Sequence, residues 1–564
     1  MWISPAETTE PAAPVRKQNA AGESDAAVPP TDLLDRLRSR LAEFGCLAAA
    51  VVFAALVTGY RFSVAGSARY PGHADPAFAY GVAQNIHAGR GPDIDYVWHF
   101  LAPAPTLRHY AFDYWLPLPS QLMAVALDVG KGLPSVLKLN ILLVLLIGIG
   151  SYLLARSFSN SPWVPAVAAA AVVVQPVVSN YAMQAESAVY FGAFAIWAMA
   201  AAVHARQHWW LWLPAGALAA LAGMCRSEGL LLIIVLGIAA LAWTEQRRWY
   251  FRLGLLVLGY LPVSAPFLYQ NLKHFGSLTP PAASAFPFIN NYEDLFAPHV
   301  PRTLHALLAG SPKRFFELRI TALNAQLSSA FGTMSPVVAV LCLMLVGAAV
   351  FQARSLLVPA ARWQVLVRTS WFVPAGFLVL VFLFDAGVAP VISGAGATVK
   401  VMATGVPILV VAAVVQLSRS RLPVAVTALA CAALVLLPLV TLANDSRSVV
   451  RHNNEVGQWV AAQQPALNRE QACLDRPLVL MTRDPWEFNQ VTGFPTVQLP
   501  TGSLADILAV ARKYGATDVQ DPSYRPALHG LAKLVGPGRP FSQPSTLTGQ
   551  LIYRINSTTA GAHC

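Results

Sequence analysis

The residue best placed for chemistry is Asp75, in the run His73-Ala74-Asp75-Pro76-Ala77-Phe78-Ala79-Tyr80. A carboxylate held within hydrogen-bond reach of a hydroxyl can take its proton as a general base. The setting predicts a helix, since Pro76 suits the first helical position and Gly89 the residue just past the end. Phe78, Val82 and Ile86 recur every four residues, an apolar stripe that can lie along a membrane surface. On a plainer reading Asp75 caps this helix, its carboxylate accepting from the first free amides. The two roles are compatible, because a carboxylate at a helix N-terminus stays ionised and rigidly held. The polar segment 67–116 also carries His73, His87, His99, His109, Arg90, Arg108, Asp93, Asp95 and Asp113. Asp93-Ile-Asp95 has a spacing that can hold a divalent ion, and equally that of two solvated acids. The chain shows no Cys/His metal spacing, no Walker phosphate loop and no hydrolase nucleophile elbow.

Further charged residues stand at the ends of apolar runs. Glu186 lies in Gln184-Ala-Glu186-Ser187, and an acid near a bilayer boundary is costly unless used or paired. Arg226-Ser-Glu228 is compatible with a mutual ion pair or with contact to a substrate. Lys400 heads an apolar run and reads as a functional cation or as a lysine snorkelling to the interface. Lys273 and His274 close another run.

The elements that must position these groups are membrane helices. The chain of 564 residues is 55% hydrophobic and 12% charged, about half the charged fraction of soluble domains. Runs of about 20 apolar residues are long enough to span a bilayer. An α-helical polytopic membrane protein follows. Eleven spans are expected, at 45–64, 134–155, 162–180, 187–205, 208–224, 229–244, 251–270, 328–351, 369–388, 400–417 and 422–442. The net charge of +11 comes from short basic clusters between apolar runs, which act as topology signals rather than as a nucleic-acid surface. With the N-terminus in the cytoplasm, every inside loop carries arginine: Arg36 to Arg40, Arg156, Arg206, Arg247 to Arg252, Arg354 to Arg368, and Arg419 with Arg421. Segment 67–116, the turn at Arg226, loop 271–327, segment 389–399 and the C-terminal region then face outward.

Three regions are expected. Residues 1–44 form a polar, largely disordered cytoplasmic tail without a cleavable signal peptide, ending in a short basic surface helix, Asp32–Phe44. Residues 45–443 form the membrane body, and residues 444–564 a small extracytoplasmic α/β domain. Within that domain Arg476–Met481, Thr496–Leu499, Thr517–Gln520 and Gln550–Ile555 read as strands. Asp484–Gln490 and Ser503–Tyr514 read as helices. Cys473 and Cys564 both lie there, where an oxidising compartment would allow them to pair. Cys46, Cys225, Cys342 and Cys431 lie in or beside apolar runs and read as small core residues.

The segment from Tyr70 through Asp75-Pro76 to Gly89-Arg90-Gly91 resembles the first outer loop of the GT-C glycosyltransferases. These are enzymes similar to protein mannosyltransferases and the lipid A aminoarabinose transferase. Asp113-Tyr-Trp-Leu-Pro117-Leu-Pro119, Asn271-Leu-Lys-His-Phe275-Gly276, Asn291-Tyr292-Glu-Asp-Leu-Phe296 and Thr482-Arg-Asp-Pro-Trp486 extend the similarity. The resemblance implies an inverting transferase of the inner, or plasma, membrane. It would move a hexose or pentose from a polyprenyl-phosphate donor to a hydroxyl of a glycan, lipid or protein, with Asp75 as the base. Many members carry a doubled acid where this chain has Ala74-Asp75. A divalent cation stays open as cofactor. The departing phosphate needs cationic stabilisation, for which Lys400, Arg226, Lys273, His274 and Arg90 are candidates. His73, Glu186, Glu228 and Tyr80 are candidates for substrate contact. Two other readings fit an oily chain of this kind: a transporter or flippase of lipid-linked sugars, and a non-catalytic assembly protein with a GT-C-like body.

Overall fold

The computed structural model describes residues 30–556 except 103, 244–248, 290, 304, 306–311, 354–366, 389–390, 521–524, 530 and 548–549. The chain divides into two units between residues 45 and 46. The expected surface helix Asp32–Phe44 and the first span fall in one helix, α1 (Pro30–Ala65). The Cys473–Cys564 pairing involves Cys564, which lies outside the described residues. Cys46, Cys225, Cys342 and Cys431 are free thiols, and all but Cys46 are buried.

After α1 the chain is mostly helical: α2 (Asp75–His87), α3 (Leu118–Val129), α4 (Gly132–Phe158), α5 (Trp163–Val174), α6 (Pro176–Ala182), α7 (Ala188–His204), α8 (Trp212–Gly223), α9 (Gly229–Ala242) and α10 (Trp249–Phe275). Helices Pro312–Thr333, Pro336–Ala353, Phe372–Val388, Val391–Arg419 and Val424–Ala461 follow. Among the described residues five helices are long and apolar enough to cross a membrane, or six if α5 and α6, bent by 55°, form one span. Other expected spans are shorter apolar helices: α7, α8, α9 and Phe372–Val388. The span expected at 328–351 is divided, because one helix stops at Thr333 and the next starts at Pro336. Proline has no amide hydrogen and its ring clashes with a preceding helical turn. Segment 391–399, expected as a loop, is the start of the helix that carries Lys400.

The break between α5 and α6 has the same cause at Pro176. With α5 ended there, the Val173 carbonyl in its last turn accepts from Arg61 Nη2 at 2.7 Å, and Ser179 Oγ accepts from the same nitrogen at 2.5 Å. Arg61 is buried within the α1 span, so its charge meets the negative end of α5 rather than an acid. Nothing in the hydropathy of residues 45–64 signals this contact.

α8 and α10 pack backbone to backbone. A Cβ at Gly259 would lie 2.0 Å from the Leu213 carbonyl, and one at Gly216 equally close to that of Leu256. Small residues allow membrane helices this approach. Gly259→Val is therefore expected to cost about 1–3 kcal/mol, read as a lower melting temperature in detergent. Gly254→Ala, on the same helix with nothing within 4 Å of the added carbon, should leave the transition unmoved.

The polar segments gather at one end of the bundle. A six-stranded mixed sheet has the order β2-β5-β4-β6-β8-β7. Its strands are β2 (Tyr96–Val97), β4 (Leu480–Thr482), β5 (Thr496–Gln498), β6 (Asp518–Gln520), β7 (Phe541–Leu547) and β8 (Gln550–Ile555). β2 belongs to the first polar loop and pairs in parallel with β5, Tyr96 opposite Thr496. The loop's other strands, β1 (Asp93–Ile94) and β3 (His109–Tyr110), pair with each other. Loop 276–300 is tied in as well: the Phe100 amide donates to the Leu295 carbonyl and the Thr501 amide to that of Phe296, both at 2.8 Å. The sheet is thus built from two distant stretches of chain. Helix Val424–Ala461 runs unbroken through position 444, where the composition changes.

Candidate active site

Asp75 is the first residue of α2, directly before Pro76. The end of the helix is the one expected: Gly89 has φ 72°, and the Arg90 amide turns back to the Asn85 carbonyl at 2.9 Å. Two details differ from expectation. Ala74, not Asp75, occupies the N-cap position, and no side chain caps the helix. The apolar side of α2 packs into protein, with Phe78, Tyr80 and Val82 buried, and rests on α3 and helix Pro485–Thr492 rather than on an open surface.

Because Asp75 is not engaged as a cap, its carboxylate is available to Lys400. The two form a short ion pair, and the same ammonium lies 2.8 Å from Glu186 Oε2. Three residues far apart in sequence thus meet at one point. Glu186 is 2% exposed, whereas Lys400 and Asp75 keep 20% and 27%. Asn140 of α4 anchors the Glu186 turn by donating to the Gln184 carbonyl at 2.5 Å. Beside the triad lies a small pocket, partly open to solvent, with Asp75, Phe78, Trp115, Glu186, Ser187 and Cys225 in its wall.

Arg226 adjoins this wall. Its guanidinium pairs with Glu228 at 2.5 Å and reaches Ser187 Oγ at 3.5 Å. The mutual pairing of Arg226 and Glu228 is therefore realised, and both are close to the pocket. Asp385, at the end of helix Phe372–Val388, is buried nearby and accepts from Thr398 at 3.4 Å. Sequence reasoning missed it because one acid near the end of an apolar run is a weak signal.

The other candidates stand elsewhere. Arg90 sits past the far end of α2, about 20 Å of helix from Asp75 at ~1.5 Å per residue, and donates to Asn85. The His274 ring is stacked on Tyr110 at 3.9 Å, and Lys273 is exposed beside it. Tyr80 is buried within α2 and is not part of the pocket wall. His73, two residues from Asp75, donates to Glu487 Oε1 at 2.9 Å. The carboxylates of Asp93 and Asp95 face Arg108 at 3.5 and 3.9 Å. Among the described residues no three His, Cys, Asp or Glu side chains cluster as a cation site.

An aromatic platform supports the pocket. Trp98 stacks on Trp115 at 4.0 Å, and Trp486 lies 5.5 Å from Trp98. Beneath it His99 and Asp113 form a buried pair at 3.1 Å. Burial, then the charge of Asp75, pushes the Tyr114 and Tyr292 phenols up, Tyr292 to about 12.

The His73–Glu487 contact makes this corner sensitive to pH. The bond to Glu487 raises the His73 pKa, while burial, then the Glu487 charge, pushes Asp484 up to about 6. A raised histidine stabilises the fold below its unfolded pKa and loses that contribution as pH rises through the folded value. A raised acid acts in the same direction, since ionising it in its buried site costs stability. Melting temperature is therefore expected to fall as pH rises from about 4 to 6, where Asp484 ionises, and again as it rises through the raised His73 pKa, and the slope should flatten in the double variant His73→Gln/Asp484→Asn.

A family model described as dolichyl-phosphate-mannose-protein mannosyltransferase matches residues 117–269. ArnT from Cupriavidus metallidurans, in a crystal structure bound to undecaprenyl phosphate, superposes with TM-score 0.53 at 13% identity. That match covers 90% of this chain and 98% of ArnT. The apo oligosaccharyltransferase of Archaeoglobus fulgidus superposes with TM-score 0.55 at 13% identity, over 85% of this chain and 69% of its own. The chain shares its fold with these two proteins. No curated protein matches the chain by sequence. The matched family segment contains Glu186, Arg226 and Glu228, while Asp75 and Lys400 lie outside it.

Proposed function

We propose that this protein is an inverting glycosyltransferase of the GT-C type that takes its sugar from a polyprenyl-phosphate donor, with Asp75 as general base. The observation that carries the reading is Lys400, placed between Asp75 and Glu186, two residues that line the pocket. In the reaction the acceptor oxygen attacks the anomeric carbon and the carbon–oxygen bond to phosphate breaks. The acceptor proton passes to Asp75, and the phosphate leaves on its lipid. Lys400, with Arg226 behind it, supplies the positive charge that the leaving phosphate requires.

The pairing also suggests an order of events. A carboxylate bound to an ammonium is a weak base, because the cation favours its ionised form. Glu186 is buried and fixed, while Asp75 is more exposed. A phosphate that takes up Lys400 displaces Asp75, the looser partner, and so frees the base only when the donor is in place.

ArnT was crystallised with undecaprenyl phosphate, which supports a lipid phosphate as the ligand class here. The acceptor is proposed as a hydroxyl of a glycan, lipid or protein. The site is proposed to face the extracytoplasmic side of the plasma membrane, and a topology reporter fused after residue 564 tests that side. The decisive assay supplies a panel of polyprenyl-phosphate sugars to the full chain in nanodiscs and compares wild type with Asp75→Asn. A flippase or non-catalytic protein yields no product with any donor. Chelation in the same assay tests whether a divalent cation takes part.

A further inference from the structure

We infer that Glu487 is a positioning residue that aims Asp75, an inference resting on the reading of Asp75 as the base. Ala74, directly before Asp75, has φ 46° and ψ −110°, and among the described residues it alone has positive φ without being glycine. A residue with a Cβ leaves this region unless its surroundings hold it there. Here both sides of the residue are held. The Ala74 amide donates to Glu487 Oε1 at 2.7 Å, and the Ala74 carbonyl accepts from the Phe78 amide at 2.8 Å, in the first turn of α2. The same Glu487 oxygen takes the His73 Nδ1 hydrogen.

Glu487 is 3% exposed, and a carboxylate so deeply placed is costly unless it is hydrogen-bonded. Its bonds go to the two residues before Asp75, from helix Pro485–Thr492 more than four hundred positions away. The neighbouring Trp486 joins the platform behind Trp115, so one helical turn supports both the pocket wall and the approach to the base. Upstream, Asn454 accepts from the Arg69 amide at 2.8 Å and holds the start of the same segment. Without the Glu487 bond Ala74 relaxes toward negative φ, and the Cα–Cβ bond of Asp75 turns away from Lys400. A displacement of about 1 Å in a reacting group can cost a hundredfold in rate.

The test uses the full chain in nanodiscs, with Glu487→Ala, Ala74→Gly and the double variant. Glu487→Ala should lower kcat about tenfold or more, with KM for the lipid donor within about twofold. Glycine adopts positive φ freely. Ala74→Gly should therefore stay near wild type, and the double variant should regain most of the lost kcat. A purely structural glutamate would not be rescued this way. Unchanged kcat in Glu487→Ala, or a double variant no faster than Glu487→Ala, overturns the assignment. Should Glu487→Ala not fold, Glu487→Asp serves: its shorter side chain draws the acceptor oxygen back from the Ala74 amide, so a kcat loss is expected, and no loss counts against the role. Amide hydrogen exchange over residues 70–76 separates this inference from the base reading. Faster exchange in Glu487→Ala, with full activity in Asp75→Asn, sinks the base and keeps the clamp. Unchanged exchange sinks the clamp whatever Asp75 does.

Discussion

Asp75→Asn is expected to lower sugar transfer by about 10²–10⁴-fold, the usual worth of a general base. The amide keeps the size of the side chain and its position before Pro76, so α2 should form as before. It cannot accept the acceptor's proton. Lipid-phosphate binding should survive or tighten, because Lys400 loses a competing partner. The expected signature is thus a collapse in kcat with an unchanged or lower KM for the donor. A variant with full turnover would remove Asp75 from the chemistry.

Lys400→Met acts on both stability and activity. It leaves Glu186, 2% exposed, without its cation. Breaking a buried pair by removing one partner costs about 3–5 kcal/mol, and the lower figure applies here because Lys400 is itself a fifth exposed. The melting temperature in detergent should fall, and lipid-phosphate binding should weaken. The double variant Lys400→Met/Glu186→Gln is expected to recover much of the stability while staying inactive. Two residues in one network couple in this way. If the double variant melts no higher than Lys400→Met, the cost does not come from an unpaired Glu186.

The same residues show why part of the site is legible in the sequence and part is not. Asp75-Pro76 and Gly89 act through local backbone geometry, and α2 begins and ends where they direct. Glu186, Arg226, Glu228 and Lys400 stand out as charges in an apolar chain, since leaving them unpaired near a bilayer is expensive. Their convergence answers that cost. Arg90, Lys273 and His274 share the charge type but lie on surfaces leading elsewhere, and composition cannot tell these cases apart. Glu487 gave no signal at all, being one acid in a polar region. Nor did the role of the first loop as a strand donor, because β2 is two residues long.

From its sequence alone this protein is a multi-helix membrane chain with one unusually long, acid-bearing polar loop, because hydrophobic runs and helix-end residues act over a few neighbours. The tertiary structure alone brings Lys400 between Asp75 and Glu186, bends the chain at Pro176 over Arg61, and seats Glu487 against Ala74. Each of these contacts joins residues more than a hundred positions apart. They form because buried charges and broken backbone ladders must find partners, and which partner lies within reach is settled only when the helices pack.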